Sequence, residues 1–136
     1  MAGYDIASKI KATAAVFPQS ASGATTNAVM VTGNTVDIRG FRSAAAVVTL
    51  GTIEAGSVTF QLLSGTSTAS LGTLATSEYD GATISTFGTG DTTLRFNIKN
   101  PERYQQVKFI AGANTSTALV DAHYILADPI EGPVAY

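Results

Sequence analysis

Cysteine is absent from the 136 residues, and so is tryptophan. Without cysteine neither a disulfide framework nor a thiolate metal site is available, so stability must come from packing, hydrogen bonding and self-association. Charge is scarce too. Asp, Glu, Lys and Arg make up 13% of the chain, against about 25% in an ordinary soluble domain, while hydrophobic residues make up 45%. Much of the surface must then be Thr, Ser, Ala, Gly or Asn, a composition suited to lying against other protein, since charge is depleted at interface centres. Net charge is −2, and the eight basic residues, Lys9, Lys11, Arg39, Arg42, Arg95, Lys99, Arg103 and Lys108, are scattered. No basic face results, so nucleic acid is not expected as a direct partner. No stretch approaches the roughly 18 continuous apolar residues of a membrane span. Met1-Ala2-Gly3-Tyr4-Asp5 lacks a basic segment leading into an apolar run. A soluble chain without a Sec-type signal and without a membrane partner is expected.

What is present is period-two alternation, with β-branched and aromatic residues gathered between Gly, Ser and Asn punctuation. In Ser57 to Leu63, Val58, Phe60 and Leu62 alternate with Thr59 and Gln61. In Thr92 to Lys99, Leu94, Phe96 and Ile98 alternate with Thr93, Arg95 and Asn97. In Tyr104 to Ala111, Val107, Phe109 and Ala111 alternate with Gln106, Lys108 and Ile110. Each predicts a half-buried antiparallel strand. Ala44 to Leu50 reads as a strand buried on both faces, and Ala118 to Ala127 as one with Val120, Ala122, Tyr124 and Leu126 inward. Weaker strand patterns lie at Ala12 to Phe17, Ala28 to Val31, Thr35 to Ile38 and Thr83 to Phe87. Turn chemistry separates them at Gly33-Asn34, Gly51 to Gly56, Ser64 to Ser70, Asp80-Gly81, Gly88 to Gly90, Asn100-Pro101 and Gly112 to Asn114. Short strands at such spacing, with no helical pattern between them, predict an all-β, antiparallel sandwich of jelly-roll-like type, residues 15–127, in one domain spanning residues 1–136.

The flanks are expected to differ from that body. Ile6, Ile10 and Ala14 follow helical spacing after Asp5, yet Ile10, Ala12, Ala14 and Val16 also alternate. An extended N-terminal arm over residues 1–14, leading into a strand, is the reading adopted. Ser20 to Asn27 has little to bury and is expected to be a loop. Asp128-Pro129-Ile130-Glu131-Gly132-Pro133 is expected to form a C-terminal tail over residues 128–136, because proline lacks the amide a central strand needs.

No catalytic constellation emerges. His123 stands two residues from Asp121 on a strand, so both side chains share a face. One imidazole and one carboxylate fall short of the three or four ligands zinc takes, and an ordinary surface or interface histidine is expected. No serine sits in a G-x-S-x-G elbow, and any triad would have to recruit His123. Asp37, Glu54, Glu78, Asp80, Asp91, Glu102 and Asp121 fall mostly at predicted turns, where acids serve local backbone hydrogen bonds. Gly88-Thr89-Gly90-Asp91 joins two strands and opens no helix, so it reads as a hairpin turn rather than a phosphate loop. The expectation is a protein that is not an enzyme and has no catalytic, metal or cofactor residues. Phe60, Phe96 and Phe109 fit the core, whereas Tyr4, Tyr79 and Tyr136 lie in arms or loops.

Val36-Asp37-Ile38-Arg39-Gly40-Phe41, an apolar strand to Gly51-Thr52-Ile53, then Gly56-Ser57-Val58-Thr59-Phe60-Gln61-Leu62, and late in the chain Arg103-Tyr104 together resemble a group of small tailed-bacteriophage proteins. These are encoded beside the major capsid protein, and several decorate or cement the head. The resemblance runs from Val36 to Leu126. It departs from the pattern where relatives carry an acidic turn after the Gln-Leu strand; Ser64-Gly65-Thr66-Ser67-Thr68 stands there, and no cation role is carried over. The resemblance implies a homo-oligomer, a trimer or dimer, bound to the major capsid protein at the virion surface after synthesis in the host cytoplasm. A tail, spike or baseplate domain that binds a receptor or glycan is the rival expectation, and a small hydrolase is a third. Candidate interface residues are Tyr4, Arg39, Phe41, Arg42, Pro129 and Tyr136. Arg39 and Arg42 flank Phe41, which makes either a charged aromatic anchor or a core phenylalanine between two solvated arginines.

Overall fold

A computed structural model describes residues 9–130 of the chain. They form ten strands and one short 3-10 turn, Thr76–Glu78, with no α-helix among them. The strands are β1 (Ile10–Gly23), β2 (Val29–Thr32), β3 (Val36–Asp37), β4 (Phe41–Ala55), β5 (Val58–Gly65), β6 (Gly72–Thr73), β7 (Tyr79–Gly81), β8 (Thr92–Ile98), β9 (Tyr104–Ala111) and β10 (Ser116–Pro129). They pair into two antiparallel sheets. One has the order β1-β10-β4-β8-β7, here sheet A; the other, sheet B, has β2-β9-β5-β6, with β3 also paired to β9.

Alternation explains the core. Ala44, Ala46, Val48 and Leu50 of β4, Val120, Ala122, Tyr124 and Leu126 of β10, and Phe96 and Ile98 of β8 face inward from sheet A. Val58, Phe60 and Leu62 of β5 with Val107 and Phe109 of β9 face inward from sheet B, and all belong to one buried cluster. Phe60 is its hub: its ring centroid lies 6.1, 5.7 and 5.9 Å from those of Phe87, Phe96 and Phe109, separations at which aromatic pairs add to area burial. One tether crosses between the sheets: Ser116 Oγ donates to Ser57 O at 2.6 Å and accepts from Ser57 N at 3.3 Å.

Several expectations are corrected. Residues 10–14, expected in an arm, pair with β10 from Ile10 opposite Ala127 to Ala14 opposite His123. β10 continues far enough to supply them with a partner, which no local pattern reveals. Ser20 to Gly23, expected in a loop, extends the same pairing to Ser116, so their hydrogen bonds are made to β10 although they bury little. Asp128-Pro129, expected to open a tail, ends β10, with Pro129 opposite Phe41. At that pair the ladder runs through the next residue, Ile130 N donating to Gly40 O at 2.8 Å. The proline nitrogen therefore points away from β4, so the missing N–H breaks no bond of the β4 ladder, and the described pairing with β1 reaches Ala127. Asp128 takes a positive φ of 57° to make the bend.

The expected turn from Gly51 to Gly56 is largely strand. β4 runs on to Ala55, and the slack is taken up by register shifts against β10 between Leu50 and Ile53 and between Ile53 and Ala55. Thr83 to Phe87 is not a strand; only Phe87 bridges to Val58. Ala44 to Leu50 is buried on one face, not two: Ala45, Val47 and Thr49 project from the outward face of sheet A and are half-buried.

Candidate interaction surfaces

The outward faces of the two sheets differ in chemistry, and the difference follows from which residues occupy the outer phase of each strand. On sheet B that phase carries Thr59, Gln61 and Leu63 of β5 and Gln106, Lys108 and Ile110 of β9, with Gln61 directly opposite Lys108 and the exposed Val29 of β2 opposite Ile110. Gln61, Gln106 and Lys108 make the middle of this face polar, as on a solvated antiparallel sheet. On sheet A the outer phase carries Ala12 and Ala14 of β1, Ile125 and Ala127 of β10, and Ala45 and Val47 of β4, paired in adjacent rows. This is a flat field of small apolar side chains on a face that no described element covers. A sheet face of this composition gains by burial against another surface.

Polar groups border this field, with Thr93, Arg95 and Asn97 of β8 and Asp80 of β7 on its far side. Asp121 and His123 stand side by side on β10, with His123 Nδ1 3.1 Å from Asp121 Oδ1. That is ion-pair distance when the ring is protonated, and Oδ1, itself buried, has no hydrogen-bond partner otherwise. Arg95 lies on β8, across Val47 from His123. Thr49 and Thr93 face each other with hydroxyls 3.4 Å apart. At the β1 edge Phe17 is 62% exposed. Beside it a groove of about 360 Å³ runs between Pro18, Thr49, Gly51, Leu119 and Asp121. A second open cleft, of about 500 Å³, lies at the other edge along Gly81, Ala82, Thr93 and Arg95.

The structure gathers part of the sequence-derived set at one corner of sheet A. Phe41 and Pro129 are cross-strand partners, with Ile130 exposed beside them. Arg39 and Arg42 are exposed on either side of Phe41. The Phe41 ring is half-buried and packs against the core cluster, so it is no projecting knob. Tyr4 and Tyr136 lie outside the described residues. Tyr79, read as a loop residue, is buried on β7, its ring edge-on to Phe96 at 5.4 Å.

Two stretches far apart in the chain are also joined. Asp37, on the two-residue β3, pairs with Tyr104 of β9. Its carboxylate accepts from Arg103 Nε at 3.1 Å and Nη2 at 3.0 Å, and from the Arg39 amide at 3.0 Å. The Arg103 side-chain bonds hold the Asp37 carboxyl below its ordinary value against the opposing effect of burial, with a smaller lowering from the Arg39 amide. Arg103 also lies over the Tyr104 ring, 4.9 Å from its centroid, a cation–π distance. This knot clips β3 to β9.

Among the described residues no three His, Asp or Glu side chains come together as a metal site would require. No described helix is long and apolar enough to cross a membrane. The sheet A field was missed from sequence, yet a signal for it existed: the run Ala44 to Leu50 is apolar on both phases, as are Ala12 and Ala14 on the phase opposite Ala15. Continuous apolarity in an antiparallel strand marks a second face to be covered. No protein-family model matches the chain, and no curated protein or solved structure shows significant similarity to it.

Proposed function

We propose that this chain is a non-enzymatic structural protein of a virus particle, binding the outer surface of a tailed-phage head and stabilising it as a capsid cement or decoration protein. The observation that carries the reading is the outward face of sheet A: its β1, β10 and β4 rows present Ala12, Ala14, Ile125, Ala127, Ala45 and Val47 side by side on a face no described element covers, whereas on sheet B Ile110 and Val29 alternate with Thr59, Gln61, Gln106 and Lys108. The scarcity of charge and the strand-and-turn resemblance from Val36 to Leu126 support it. A jelly-roll sandwich is the corresponding fold proposal. The order β1-β10-β4-β8 in one sheet and β2-β9-β5-β6 in the other, with the chain passing repeatedly between them, is the arrangement two Greek keys produce.

A protein of this kind works by mass action. It binds the assembled shell better than free subunits and so shifts the disassembly equilibrium. A contact of about 1,200 Å² suffices if it is repeated, because an oligomer that engages several shell subunits at once gains from effective concentration. The corner formed by Arg39, Phe41, Arg42 and Pro129 is the proposed contact to the major capsid protein.

The test is copy number and position on purified particles, by quantitative mass spectrometry and labelled microscopy. Hundreds of copies spread over the head support the proposal. A handful at the tail replaces it with the receptor- or glycan-binding tail domain, and absence from particles overturns both.

A further inference from the structure

We infer that the outward face of sheet A is a self-association surface, and that two copies pack face to face about a two-fold axis lying over β4 and parallel to it. The inference does not depend on the particle proposal: it assigns the outward face of sheet A to a second copy and leaves the shell contact to the Arg39, Phe41, Arg42 and Pro129 corner.

Three observations carry it. β4 is the middle strand of five, with β10 on one side and β8 on the other. Its outward residues Ala45 and Val47 are small, so a second sheet can approach to the ordinary packing distance of about 10 Å. The unpaired charges of the field are divided across that strand: the acid, Asp121, lies on β10 and the base, Arg95, on β8, two residues apart along the ladder, while Asp80 of β7, on the same face, is already paired with Lys99. Among the described residues Arg95 has no ion pair, and Asp121 Oδ1 has no near donor but His123 Nδ1.

A two-fold axis along β4 lays β10 of each copy over β8 of the other. Arg95 then lies level with the partner copy's His123, with the partner copy's Asp121 one same-face step along β10 and within reach of the long guanidinium side chain, and the contact occurs twice. An in-plane axis perpendicular to β4 would lay β8 over β8 and β10 over β10, bringing like charges together, so charge complementarity selects the first arrangement. The same operation carries the exposed Phe17, at the β1 edge, toward the β7–β8 edge, where the cleft along Gly81, Ala82 and Thr93 is open to receive it. Five strands spaced about 4.8 Å apart and paired over some seven residues give roughly 1,000 Å² buried in total, at the lower bound for specific association.

The experiment is sedimentation velocity on the full chain, wild type and three variants, with circular dichroism to check folding. The wild type should sediment at twice the 14.0 kDa chain mass. Arg95→Asp alone and Asp121→Arg alone should each weaken dimerisation at least tenfold, because each homodimer then faces like charges twice. An equimolar mixture of the two should recover the dimer, since each cross-contact again joins an acid to a base. Val47→Arg, which adds bulk and charge at the centre, should be monomeric and folded. Wild-type protein that stays monomeric up to about 1 mM, where only the weakest affinities escape detection, overturns the inference and leaves the face to a partner of another sequence. A dimer that both charge reversals leave unchanged, or single-variant losses that mixing does not restore, also overturns it.

Discussion

Arg103 donates through Nε and Nη2 to the two carboxylate oxygens of Asp37, at 3.1 and 3.0 Å, joining residues 66 positions apart in the chain. A planar guanidinium matches a carboxylate in this two-point fashion, which lysine cannot reproduce. The pair holds β3, only two residues long, against β9.

The pH dependence of that pair follows from its direction. Asp37 is held below its ordinary value of 3.8 in the folded chain. Its contribution is therefore fully present above that value and is lost as pH falls through the lower, folded one. Urea midpoints across the acid range should show wild type ahead of Asp37→Asn near neutrality, with the gap closing on acidification. Because both partners are partly exposed, the gap should also shrink with added salt. A gap independent of pH would show that the carboxylate charge is not what matters.

Tyr124 lies fully buried on β10 with its hydroxyl unpartnered, and burial alone pushes its ionisation well above the ordinary tyrosine range. An unsatisfied buried donor costs about 1–3 kcal/mol. Tyr124→Phe should accordingly raise stability by about 1 kcal/mol in denaturant titrations. A loss would mean that the hydroxyl has a partner in solution, such as a buried water.

Phe60 meets three other phenylalanine rings and is 1% exposed. Phe60→Ala should cost about 3–5 kcal/mol through lost burial and the cavity left behind, and Phe60→Leu less. A cost near zero for the alanine variant would contradict the packed core between the sheets.

Gly56 turns the chain between β4 and β5 at φ 69°, where a Cβ would press on Thr115 O and lie 2.7 Å from Ser116 Oγ. Gly56→Ala should cost at least the 1–2 kcal/mol of a left-handed L-residue, measured by thermal or urea unfolding. Gly72→Ala makes the control, since a Cβ there meets nothing within 4 Å, and it should be nearly neutral.

Much of the strand content was legible locally. Val58, Phe60 and Leu62, or Val107, Phe109 and Ala111, state which face is buried because side chains alternate with period two and burial favours apolar groups. Errors gathered where pairing overrides composition. Ser20 to Gly23 looks like a loop, and Pro129 like a strand breaker, yet both lie in ladders because β10 is long enough to serve β1 and β4 together. The expected interface residues fared unevenly for a related reason: of the two roles the sequence offered Phe41, anchor or core, its half-buried packing against the core cluster follows from the β4–β10 pairing.

The amino-acid sequence by itself determined an all-β chain of two-faced strands with few charges, and which side chains each strand buries, since those follow from composition and from a two-residue period. Tertiary structure alone decided strand order, and strand order decided the surfaces. Asp121 and Arg95, 26 positions apart in the sequence, flank one strand because β10 and β8 both pair with β4. Ala12, Ala45 and Ile125 share one face because three distant segments meet in register. Such neighbours are set by the free energy of closing the whole sheet, which depends on every pairing at once and is written in no single segment.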